Sequence, residues 1–131
     1  MLGSAQLPDQ TVIADLEAGM GTMTRMEAKS VDAVLVVVEP TPRAIQVGRR
    51  VAELAREKAL GTLLVVANRI RTREDVALVR HAFPDVEVLT VPDDEAITRA
   101  ERHGVAPLDT EPGSPAVRAL VTIAERVAAQ Q

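Results

Sequence analysis

The 131 residues carry 15 basic and 19 acidic side chains, a net charge of −4, with 47% hydrophobic and 26% charged residues. That composition is globular rather than disordered, and the length suits one domain. The absence of Cys excludes a disulfide scaffold and a thiolate metal centre, while a lone aromatic residue, Phe83, and a mildly acidic balance speak against a nucleic-acid surface.

Residues 1–10 read as a flexible lead-in, with neither the basic nor the apolar region of a secretion signal. Residues 11–131 read as a single domain. No apolar run approaches the ~20 residues needed to cross a bilayer, so the expectation is a soluble, cytoplasmic protein.

Four apolar runs read as strands: Thr11–Asp15, Ala33–Val38, Thr62–Ala67 and Val86–Val91. The middle two are nearly continuous Val, Leu and Ala without polar alternation, the pattern of strands covered on both faces. Thr41-Pro42 is a helix start, because Thr accepts an orphan N–H and Pro has its φ pre-set. That helix is expected to run to about Leu60 and stop at Gly61. A second helix is expected over Thr72–His81, ended by Pro84. A third starts at Asp93-Asp94-Glu95, whose carboxylates favour the positive end of a helix dipole, and ends at Gly104. The last begins at Ser114-Pro115. Strand–helix alternation predicts an α/β fold: a three-layer α/β/α arrangement on a mostly parallel sheet of about four strands.

Ligands in such sheets bind at the carboxyl ends of the strands. Those ends read Asp15-Leu16-Glu17-Ala18-Gly19, Glu39-Pro40, Asn68-Arg69 and Pro92-Asp93-Asp94. Asp15 can hold a magnesium-bound water and Gly19 can offer its N–H to a terminal phosphate; a solvated turn is the plainer account of both. Asn68 offers a donor and an acceptor suited to the N6/N7 edge of adenine, against the plainer account of a turn residue bonding its own backbone. The Asp93–Glu95 run is better explained as an acidic helix start than as a metal cluster. His81 and His103 lack partners at ligand spacing and read as surface residues. The basic stretch Arg69–Arg73 suits an anion or a partner, or simply a solvated loop and helix start.

Taken together these segments resemble a known family. Asp15-Leu16-Glu17-Ala18-Gly19 is similar to the D-x-[EP]-A-G segment of the MinD/ParA-type deviant-Walker P-loop ATPases. The resemblance continues through Val31–Thr41, Val65–Arg69, Val91–Ile97, Gly104–Leu108 and Ser114–Val117. The Glu-Ala-Gly form is most similar to the nickel-insertion accessory ATPases of carbon monoxide dehydrogenase. Each segment is weak alone; their shared order and spacing carry the likeness. It implies that Asp15 stands near magnesium and the attacking water, and Gly19 near the terminal phosphate. It implies that Asn68 reads adenine and that Pro92 and Asp93 form the loop packing on the base, with ATP or ADP and magnesium as cofactors.

Such enzymes open with a strand, a glycine-rich phosphate loop with an invariant lysine, and a helix. The present sequence is expected to lack that loop. Its lysines are Lys29 and Lys58. Lys29-Ser30 is preceded by Ala28 where the loop needs Gly, and Met23 stands at the first glycine position. A Cβ there blocks the backbone's approach to phosphate. No autonomous ATP hydrolysis is expected, because the triphosphate has no cradle. The expectation is a nucleotide-associated or regulatory subunit, or alternatively an interaction module retaining only the fold, with Met20–Met26 as a pliant contact. A response-regulator-like fold is disfavoured, since Glu39 and Asn68 occupy strand ends where that chemistry needs other residues.

In the family's sheet the phosphate-loop strand lies between the strands matching 11–15 and 33–38. Without it these two either pair directly or receive a strand from another chain. An empty gap would leave buried backbone groups unpaired at about 1–3 kcal/mol each. A homodimer, or a companion chain supplying the strand, is therefore expected.

Overall fold

A computed structural model describes residues 10–16, 25–27 and 31–130. Strand β1 spans Ala33–Val38, helix α1 Pro42–Glu57, β2 Thr62–Ile70, α2 Arg73–Ala82 and β3 Glu87–Pro92. Helices α3 (Glu95–His103), α4 (Pro107–Thr110) and α5 (Pro115–Ala128) follow. The sheet has the order β1-β2-β3, and both pairings are parallel.

The apolar runs dictate the layers. On one face Val36, Val38, Val65 and Ala67 pack with Ile45 and Ala52 of α1 and Val79 of α2, around the single aromatic ring, Phe83. On the other face Val66 and Val91 meet Ala116 and Ile123 of α5. Strand β2 lies in the middle, with Leu64–Ala67 all buried, as its unbroken apolar run requires. The three layers agree with the sequence reading.

The start signals work as expected. Thr41 accepts from the Ala44 N–H at 3.2 Å with Pro42 next. Thr72 and Asp75 form a reciprocal capping box, and Ser114 accepts from Val117. Helix α3 ends at Gly104 with φ 64°. The four-residue α4 was not foreseen.

Two expectations are corrected. The first is the strand expected at Thr11–Asp15, one of about four. Thr11–Asp15 is not a strand, and the described sheet is three-stranded and wholly parallel. Val12 and Ile13 are 54% and 89% exposed. The segment finds no ladder partner, and a lone extended segment has no hydrogen bonds to hold it. It is tethered instead by its next residue, Leu16, which packs with Met26 against Ala55 and Leu60 at the end where the strands begin. The 11–15 segment and β1 therefore do not close up. Among the described residues β1 pairs with β2 alone, and its Leu35 and Val37, 39% and 61% exposed, join none of the apolar clusters. The lead-in lies outside the described residues up to residue 9.

The second correction concerns the end of α1. The helix stops at Glu57, and the left-handed residue is Ala59 (φ 49°), not Gly61. The Leu60 N–H bonds the Ala55 carbonyl at 3.2 Å and the Ala59 N–H bonds the Arg56 carbonyl at 3.0 Å, which is a Schellman ending with the wrong residue at its centre. Gly61 serves close approach: a Cβ there would run into the Val31 carbonyl and reach the Asp32 backbone at 3.0 Å. Ala59→Gly is expected to stabilise the protein by about 0.5–1 kcal/mol, by removing the Cβ penalty at an exposed site. Urea unfolding at constant m-value checks this; an unchanged or lower midpoint would count against it.

Candidate functional site

Parallel strands put their carboxyl ends on one side. There the first charged residues after β1 and β3 are acidic, Glu39 and Asp93, and the one closing β2 is basic, Arg69. The register of β2 against β3 slips at this point: Ala67 faces Thr90, but Ile70 faces Pro92, leaving one extra residue in β2. The slip is a bulge, and Arg69 takes it up with a left-handed φ of 57°. Its guanidinium reaches both neighbours, with Nη1 to Glu39 Oε1 at 3.2 Å and Nε to Asp93 Oδ1 at 3.5 Å. Arg71 Nε donates to the second Asp93 oxygen at 2.8 Å.

These charges shape one another. Asp93 is held below the usual carboxylate range, first by the hydrogen bond from Arg71 and then by Arg69. The Arg69 guanidinium is pushed up by its bonds to Glu39 and Asp93. The pairs are half-exposed and each is worth little alone. Their effect is geometric: they tie three strand ends together.

Asn68 is half-buried within β2, and its carboxamide makes no side-chain hydrogen bond to any described residue. Pro92 closes β3, and the Asp93 N–H bonds the Ile70 carbonyl at 2.9 Å. The structure thus brings Asn68, Pro92 and Asp93 to one end of the sheet. Asp15 is not with them. It is exposed, and its neighbour Leu16 packs at the opposite end. Gly19 lies outside the described residues, as does most of Met20–Met26; Met26 itself packs inward and its carbonyl accepts from Lys58 Nζ at 3.3 Å.

Asp94 is a helix-start residue, as the acidic run suggested, but it does more than that. Its carboxylate accepts from the Ala96 N–H at 2.9 Å, capping α3, and from the Ala116 N–H at 3.0 Å, at the start of α5. Those bonds, Ala116 first, hold its pKa below the ordinary 3.8. A lowered folded pKa stabilises the charged form. The contribution is complete above the unfolded value and fades as pH falls through the lower folded one. Asp94→Ala is expected to lower Tm by roughly 4–8 °C at neutral pH. Asp94→Asn should lose less at pH 7 and show a flatter decline toward about pH 2. Circular-dichroism melts across that range check it; identical acid limbs would contradict it. Among the described residues no group of three or more His, Cys, Asp or Glu is placed to hold a metal, and no helix is long and apolar enough to cross a membrane. His81 and His103 are exposed.

The sequence reading missed the Glu39–Arg69–Asp93 tie and treated Arg69–Arg73 as loop. The signal was present, in the acidic, basic and acidic residues closing three adjacent strands. Two shallow concavities, about 320 and 190 Å³, run along α1 and between α1 and Phe83–Asp85. Neither is lined by Asn68, Pro92 or Asp93, so the site is placed by its chemistry and not by depth.

No model of a protein family matches the chain. It is 29% identical over 104 residues to the carbon monoxide dehydrogenase accessory protein CooC of Rhodospirillum rubrum, covering 79% of this chain and 40% of that protein. It is 34% identical over 100 residues to an uncharacterized ATP-binding protein of Methanocaldococcus jannaschii, covering 73% and 38%. The fold resembles the septum site-determining protein MinD of Pyrococcus horikoshii solved with Mg-ADP, at a TM-score of 0.64 and 21% identity over 75% of this chain and 42% of that one. The chain therefore spans less than half the length of the proteins it matches.

Proposed function

Since this chain belongs to the MinD/ParA-type family of P-loop ATPases, we propose that it forms the base-reading part of a nucleotide site and holds adenine at the carboxyl ends of β2 and β3. The observation that carries the reading is the placement of Asn68 within the β2–β3 bulge, where Ile70 pairs with Pro92 and its carbonyl accepts from the Asp93 N–H. Asn68 is half-buried, and its carboxamide has no hydrogen-bond partner among the described residues. Its donor and acceptor are open to solvent and available to a ligand. The loop at Pro92 supplies an apolar surface for the base.

The phosphate grip belongs to residues outside this sequence, in a longer chain or a companion. The edge of β1 left unpaired among the described residues, with the exposed Leu35 and Val37, is the surface on which that part would dock. Asp15 and Gly19 take the magnesium-water and terminal-phosphate roles in a state where residues 11–15 join the sheet beyond the incoming strand. Alone, the chain does not hydrolyse ATP. The same uncovered face favours a second reading, an interaction module in which association is the function; a second copy of this chain would then serve as partner.

Adenosine, which has no phosphate, isolates the proposed contact. Titrated at millimolar concentration into the ¹⁵N-labelled chain, it is expected to shift the Asn68 side-chain amide signals, and Asn68→Ala should abolish saturation. Shifts scattered away from residues 68 and 92–93, or none, would overturn the adenine site.

A further inference from the structure

We infer that Arg69 is a positioning residue whose guanidinium, drawn between Glu39 and Asp93, locks the Pro92–Asp93 loop against the bulge carrying Asn68 and so makes the site select adenine over a purine with a carbonyl at C6. The inference rests on the adenine site proposed above.

Three observations carry it. Arg69 occupies a left-handed backbone conformation, φ 57°, that an arginine adopts only when its surroundings hold it there. Its fork spans the sheet, touching the residue after β1 at 3.2 Å and the residue after β3 at 3.5 Å. The loop it touches is anchored again by Arg71 on Asp93 at 2.8 Å and by the Asp93 N–H on the Ile70 carbonyl at 2.9 Å. One extra residue in β2 thus has its backbone set from both sides, immediately beside Asn68.

Selectivity follows from how a carboxamide pairs. Adenine presents a donor at N6 beside an acceptor at N7, and one carboxamide satisfies both at once. Hypoxanthine presents two acceptors there, so a carboxamide held in the two-point geometry sets its own oxygen against O6. A base free to slide makes one bond and accepts either purine. Discrimination therefore depends on a loop that keeps the base in register.

The test compares adenosine with inosine, both uncharged, on the wild-type chain and on Arg69→Gly. Glycine suits the left-handed backbone and removes only the fork, so this variant should melt at the wild-type temperature or above. Its preference for adenosine is expected to fall about three- to tenfold, the scale of two half-exposed ion pairs. Arg69→Lys should keep part of the preference and Glu39→Gln should lose part. Raising salt from about 0.05 to 0.5 M should erode the wild-type preference, although neither ligand is charged. If the wild type binds adenosine and Arg69→Gly discriminates equally well, the inference falls and the adenine site stands. If the wild type does not bind adenosine, both fall.

Discussion

Gly48→Val is expected to destabilise the protein by about 3 kcal/mol, out of the roughly 5–15 that a domain of this kind possesses. Gly48 faces the sheet from α1, and even a Cβ there would run into Val38 Cγ1, with Phe83 Cζ at 3.4 Å and Val36 Cγ1 at 3.5 Å. Val38 is 3% exposed, and its branched side chain has little rotamer freedom with which to yield. The helix itself must lift. Better helix propensity offsets at most about 1 kcal/mol, so Gly48→Ala should still be neutral to harmful. For Gly48→Val a fall in Tm of about 10 °C is expected. The companion change Val38→Ala makes room, so the double variant Gly48→Ala/Val38→Ala should lose less than the two single losses added. Strict additivity in thermal or urea melts would mean that the contact does not govern the packing.

The second large effect concerns the phosphate. Adding the phosphate-loop part of a full-length relative, as a fusion or a separate chain, should raise affinity for Mg-ADP about 10³-fold while leaving adenosine affinity nearly unchanged. Hydrogen bonds to a charged group contribute about 1.5–3 kcal/mol each, and two of them account for that factor. In the assembled form Asp15→Ala should slow ATP hydrolysis with little effect on ADP affinity, and Asn68→Ala should weaken both nucleotides. Calorimetry measures each arm, and light scattering reports whether the added part has docked. Micromolar Mg-ADP binding by the isolated chain, or no gain on addition, would remove the division of labour proposed for the two parts.

Much of the fold was legible in the residues. Unbroken runs at 33–38 and 62–67 announced a doubly covered sheet, and Thr41-Pro42, Thr72 and Ser114-Pro115 marked helix starts by chemistry that acts locally. Thr11–Asp15 read equally well as a strand and is not one here, because strand formation depends on a neighbour that local sequence does not reveal. Ala59 was invisible for a related reason. Glycine is the usual left-handed residue, and the nearby Gly61 drew the assignment, yet it was needed for close backbone contact. Of the candidate site, Asn68, Pro92 and Asp93 came together because the ends of parallel strands always do. The bulge that turns Arg69 toward Glu39 and Asp93 has no simple sequence signature, since it arises from a register slip between segments some twenty residues apart.

The shared cap at Asp94 ties the fates of two helices. Because one carboxylate holds the first turns of both α3 and α5, neither can fray without releasing a donor of the other. The segment from α3 to α5 should therefore open as one cooperative unit, and any motion of the loop beside Pro92 would be felt at the start of α5, on the far side of the sheet from α1.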